Sequence, residues 1–140
     1  MPLKTKILVR MANEGVHYWP DSPFPELAEA HKHVFAIIVA FDEKYSRQHE
    51  FIRFREALLR ELDNEFGRDI WMFGPMSCED IAIWIIRKVR EMLQEDVGVT
   101  VSVWEDEKHC GAWVKVDEGE EIPSDAGSKR NKRRKNSLVA

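Results

Sequence analysis

Cysteine is scarce in this 140-residue chain: Cys78 and Cys110 are the only two. Two thiols give no disulfide framework, and no Cys-x-x-Cys pair is present, so a cysteine-rich structural zinc site is not expected. Long apolar runs are missing as well. The run at 34–41 is strand-sized and falls far short of the roughly 20 residues of a membrane helix. The first residues, Met1-Pro2-Leu3-Lys4-Thr5-Lys6, lack the apolar core of a signal peptide. No internal repeat of fixed period is visible. These absences point to one globular domain, long enough for a core, in a reducing cytoplasmic setting without membrane contact.

Charge is unevenly spread. Residues 129–135, Lys-Arg-Asn-Lys-Arg-Arg-Lys, carry six positive charges, although the whole chain is at −4. The remainder is therefore strongly acidic. A turn-rich stretch, Pro123-Ser124-Asp125-Ala126-Gly127-Ser128, leads into this basic run. The expected organisation is a folded unit over 1–120 and a disordered basic tail over 121–140. The tail could contact nucleic acid or lie on its own acidic domain. The second is favoured, because an acidic body repels phosphate.

What the chain does have is a histidine pattern. His31 and His33 open an apolar run that continues to Phe41 and reads as a buried strand. Residues two apart on a strand point to one face, so both imidazoles project together. His17 lies 14 residues before His31, enough chain for a strand, a turn and a return. Three imidazoles on one face make an open site that suits zinc, with a fourth position left for water or substrate. The same spacing also describes polar residues at an exposed strand end.

Residues 5–13 read as a first strand, with Glu14-Gly15 and Pro20-Asp21-Ser22-Pro23 marking irregular chain around His17. The strand from His31 follows. Phe51, Phe54, Leu58, Leu62 and Phe66 recur at helical spacing, and Gly67 is a stop. A second helix starts near Ser77, with Asp80 completing a capping box, and runs on to Gly98. Val99, Val101 and Val103 alternate with polar neighbours, and 112–116 forms the last strand. The order is ββααββ: an α+β fold with a four-stranded antiparallel sheet and two helices on one face. Such a sheet has edges to cover, which points to oligomerisation.

Four local pieces resemble the 6-pyruvoyl-tetrahydropterin synthase and 6-carboxy-tetrahydropterin synthase family, which has the T-fold. His17 followed by His31-Lys32-His33 is similar to the family's zinc histidine and its His-Gly-His motif. Glu50-Phe51-Ile52-Arg53-Phe54 resembles a segment ending in Asp-Phe. Met76-Ser77-Cys78-Glu79-Asp80-Ile81-Ala82 resembles Pro-Thr-x-Glu-Asn-Leu-Ala. Val101-Ser102-Val103-Trp104-Glu105-Asp106 resembles the strand ending in Glu-Thr. The likeness covers about residues 5–116 in element order.

The resemblance implies Zn2+ held by His17, His31 and His33, and Glu105 as anchor of a pterin or purine-like ring. A carboxylate can accept two parallel hydrogen bonds from an amino group and a ring N–H. By parity Glu105 shares a face with Val99, Val101 and Val103; taken alone, it also fits a strand-end acid in water. The implied activity is a carbon–oxygen lyase acting on a dihydropterin of the dihydroneopterin triphosphate class. Tetrahydropterin and 7-deazapurine (queuosine-type) biosynthesis use such enzymes. The implied assembly is a homohexamer.

The chain departs from the family at the proton-transfer positions. Leu27 stands where the family has its catalytic cysteine, and Asp63-Asn64 replaces an Asp-His pair. Asp63 is the retained member, and Glu26 or Glu29 is the candidate substitute base, since some relatives use a glutamate there. The alternative is a zinc- and ring-binding protein without turnover. A third reading is an unrelated acidic scaffold whose tail recruits partners. Cys78 heads a helix, which lowers a thiol pKa, yet a buried packing role suits it better.

Overall fold

The structure is a computed structural model, and it describes residues 3–106 and 109–124. The basic run at 129–135 and most of the expected tail lie outside the described residues. Strand β1 (Thr5–His17) pairs antiparallel with β2 (His31–Glu43) along their full length, from Thr5↔Glu43 to His17↔His31. Alternation explains both strands. Ile7, Val9 and Met11 on β1 and Phe35, Ile37, Val39 and Phe41 on β2 are buried on one face. Strand β4 (Val99–Glu105) pairs with β2, and β5 (Cys110–Val116) pairs with β4.

Two helices cover the buried face. Helix α2 (Phe51–Phe66) buries Phe54, Leu58, Leu62 and Phe66. Its start is capped by Glu50, whose carboxylate accepts from the amides of Ile52 and Arg53. Gly67, at φ 113°, terminates it. Helix α3 (Cys78–Leu93) opens on the expected capping box, with Ser77 and Asp80 bonded reciprocally. It ends earlier than Gly98, at Leu93, where Gln94 adopts the left-handed conformation at φ 53°.

The α+β class and the helix pair agree with the sequence reading, but two elements are added to it. A one-turn helix α1 (Pro25–Ala28) precedes β2, and a four-residue strand β3 (Trp71–Gly74) follows α2. The sheet therefore has five strands in the order β3-β1-β2-β4-β5, and β3 runs parallel to β1. Both elements are only four residues long, about one helical turn or two strand periods, too short for periodicity to register. The described residues contain no helix long and apolar enough to cross a membrane.

Glu14 and Gly15 do not interrupt β1, contrary to the expectation of irregular chain around His17. Gly15 stays within the ladder, opposite His33 and beside Trp71. Its role is steric. A Cβ there would meet the Phe35 ring at 2.7 Å and the Phe73 ring at 3.1 Å. Those rings pack edge to face, 5.0 Å between centroids, and form the floor beneath the histidines. Gly15→Ala should therefore push against two buried aromatics. We expect a loss of about 1–3 kcal/mol, read as a lower urea midpoint at unchanged slope. A neutral result would show that the floor yields freely.

Candidate metal centre

Strand pairing brings the three histidines together. His17 and His31 are direct cross-strand partners at the last rung of β1–β2, and His33 lies two residues further along on the same face. Ring centroids are 4.7 Å apart for His17 and His31, 4.9 Å for His31 and His33, and 5.5 Å for His17 and His33. One nitrogen from each lies within 4.8 Å of the others.

Each ring is oriented through Nδ1. His17 Nδ1 donates to the Met76 carbonyl at 3.0 Å, just before α3. His31 Nδ1 donates to the Glu29 carbonyl at 2.9 Å, at the exit of α1. His33 Nδ1 donates to Asp106 Oδ2 at 2.9 Å, just past β4. A carbonyl oxygen can only accept, so at His17 and His31 the Nδ1 atom must carry the proton. The carboxylate imposes the same tautomer on His33. In the neutral imidazole, the form that binds a metal, all three Nε2 atoms are thereby left with lone pairs. His17 Nε2 is buried with no hydrogen-bond partner. A buried nitrogen held without a partner is costly unless something electron-poor meets it. Three imidazole nitrogens, each oriented by an outer acceptor, fit a zinc ion well.

Glu105 sits at the same place. It closes β4 on the inner face, opposite Phe35, as strand parity requires. Its Oε1 is 3.2 Å from His17 Nε2 and its Oε2 is 3.3 Å from His33 Nε2. The His17 contact is a close approach, and that nitrogen has no hydrogen-bond partner. Proximity to His17, chiefly, and to His33 holds the Glu105 carboxyl below the usual carboxylate range. Cys78 donates its S–H to Glu105 Oε1 at 3.5 Å. Burial first, and the Glu105 charge second, push the Cys78 thiol far up. A protonated buried thiol is no nucleophile, and Cys78 serves as a packing and donor group.

The proposed proton-transfer residues are arranged differently. Glu26 lies within α1 and Glu29 caps it; both residues are exposed. Glu29 reaches the site through its backbone carbonyl. Leu27 is half-buried, and its carbonyl accepts from the Trp19 amide. Asp63 accepts a hydrogen bond from the indole N–H of buried Trp71 at 3.0 Å. Asn64 is exposed.

Asp106 is the site residue that motif reading passed over. Its Oδ2 orients His33, its Oδ1 accepts from the Val34 amide, and its own amide donates to the Val34 carbonyl. It does this at φ 51°, a conformation aspartate tolerates better than most residues. His33, chiefly, holds its carboxyl below the usual range. The signal was the position directly after Glu105, where the resembling strand has a threonine.

No protein-family model and no curated protein sequence matches the chain. Solved structures do. A 6-pyruvoyltetrahydropterin synthase from Plasmodium vivax, in a variant with a catalytic glutamate replaced by cysteine, superposes with a TM-score of 0.60 at 13% identity. The match covers 83% of this chain and 99% of that one. The variant of the same enzyme with alanine at that glutamate gives 0.55 at 14% identity, with the same coverage. An uncharacterized protein from Wolinella succinogenes gives 0.53 at 15% identity, over 81% of this chain and 98% of that one. The chain thus has the fold of the pterin synthases, the T-fold.

If Asp106 orients His33, removing its charge should loosen a bound metal. Asp106→Asn keeps the backbone conformation accessible and should weaken zinc binding about tenfold or more. Competition with a chromophoric chelator measures this, and equal affinity in both proteins would remove Asp106 from the site.

Proposed function

We propose that the protein is a zinc-dependent lyase of the pterin synthase type, acting on a dihydropterin of the dihydroneopterin triphosphate class. The observation that carries this reading is the clustering of His17, His31 and His33, each with Nδ1 held by an outer acceptor and one nitrogen within 4.8 Å of the others. Those three atoms would hold the ion. Bound zinc would supply Lewis acidity toward the hydroxyls of the substrate side chain. Such chemistry serves tetrahydropterin formation or a 7-deazapurine route of the queuosine type.

The chain's own residues have separable tasks in this scheme. Glu105, on the inner face beside the histidines, accepts the two parallel donors of a pterin or purine-like ring. Phe35 and Phe73 keep water from beneath the site. Glu26 or Glu29 takes the proton that a cysteine would otherwise take. The Plasmodium vivax enzyme of the same fold has a catalytic glutamate, which supports a carboxylate base in this architecture. Asp63 would act alongside it.

A second reading is favoured by one observation. The Asp63 carboxylate is engaged by Trp71, and Leu27 and Asn64 offer no base. On that reading the protein binds zinc and a pterin or purine without turning it over.

The assembly belongs to the same proposal. Among the described residues, strand β5 is a sheet edge of seven residues. The sheet face away from the helices exposes Leu8, Ile38, Trp104 and Trp113. Both features call for covering by other copies of the chain, and a homohexamer is the expected form. Light scattering at micromolar concentration should report a mass near six chains; a monomer would contradict it.

Metal and turnover are tested together. Purified protein should carry about one zinc per chain, and His33→Ala should release it. Either Glu26→Gln or Glu29→Gln should abolish consumption of dihydroneopterin triphosphate while zinc content stays unchanged. Wild type that binds the ring but consumes no substrate would establish the binding-protein reading. Wild type indifferent to zinc would defeat both.

A further inference from the structure

Glu105 stands nearer to the histidines than a ring anchor needs to. Its two oxygens lie 3.2 and 3.3 Å from His17 Nε2 and His33 Nε2. In a tetrahedral zinc site with bonds of about 2.0–2.1 Å, neighbouring donor atoms are about 3.3–3.4 Å apart. The Glu105 oxygens therefore keep the spacing of donors that share an ion.

The chemistry of the contact points the same way. Backbone carbonyls and Asp106 hold the Nδ1 protons, so both Nε2 atoms present lone pairs. A lone pair and a carboxylate oxygen at this distance repel each other. A cation between them converts that repulsion into coordination. His17 Nε2 is buried without a hydrogen-bond partner, and a cation at this point would satisfy it. From the other side, the Cys78 thiol donates to Oε1 and fixes the carboxylate in this orientation.

We propose that Glu105 is a fourth protein ligand, so that the metal centre without a small molecule is a closed His17–His31–His33–Glu105 site. This rests on the zinc reading above and changes how the site would be used. A ligand oxygen must displace Glu105 before it can reach the ion. The displaced carboxylate is then free to grip the donors of the ring. Recognition of the ring and opening of the metal become a single event, and a molecule with only one of the two features gains little.

The test uses metal-free full-length protein titrated with zinc, and with Co2+ as a paramagnetic substitute. Glu105→Gln is nearly isosteric, and circular dichroism checks its fold. Glu118→Gln, on an exposed acid, is the control. The expected result is at least tenfold weaker zinc binding for Glu105→Gln and no change for Glu118→Gln. Solvent-proton relaxation should show no rapidly exchanging water on Co2+ in wild type and such a water in Glu105→Gln. Equal zinc affinity in wild type and Glu105→Gln would overturn the proposal and leave the three-histidine site standing. If Glu105→Gln fails to fold, an exchanging water on Co2+ in wild type overturns it alone. A wild type that binds no zinc, or a His33→Ala variant that binds it equally well, would instead defeat the metal reading itself.

Discussion

The pairing of His17 with His31 at the end of a thirteen-residue antiparallel ladder governs everything else in the site. Register in a half-buried sheet is all or nothing, because a slip of one residue turns every side chain to the opposite face. Here the register is held by Ile7, Val9 and Met11 against Phe41, Val39 and Ile37. The hydrophobic core far from the site thus decides that three histidines meet. Gly15 is the local condition for it. Only a residue without a side chain leaves room for the Phe35 ring, which packs edge to face with the imidazoles of His17 and His33.

Convergence then comes from three loops that are distant in sequence. Met76 precedes α3, Glu29 follows α1, and Asp106 follows β4, yet each places one acceptor against one Nδ1. Two of the three acceptors are backbone carbonyls. The Glu29 carbonyl is free because it ends a helix, where carbonyls lack intrahelical partners, and the Met76 carbonyl because it lies in the loop before the cap of α3. The short helix α1, the capping box of α3 and the left-handed turn at Asp106 therefore all bear on the electronic state of the site.

This division explains what the sequence made legible. Side-chain facts were readable: the shared face of His31 and His33, the parity of Glu105 with Val99 and Val103, the apolar stripes of α2 and α3, and the Ser77–Asp80 cap. Backbone facts were not. A carbonyl has no sequence signature, so the parts played by Met76 and Glu29 were invisible. Gly15 read as a breaker, because glycine's steric use depends on a ring that arrives from another strand. Strand β3 joins the sheet over a few residues at a bulge, too briefly for any periodic signal. Asp106 was within reach, since it directly follows Glu105 on a strand already marked as part of the site.

The acids divide in a way that bears on chemistry. Glu105 and Asp106 are adjacent in sequence but face opposite sides of the metal's needs. One meets Nε2 atoms, where an ion would sit; the other meets an Nδ1 proton, where it raises the basicity of a ligand. Both are held below the ordinary carboxylate range and so are ionised at neutral pH. Glu26 and Glu29 are exposed at α1. Glu105 and Asp106 meet the histidines through their carboxylates, whereas Glu29 meets His31 through its backbone carbonyl.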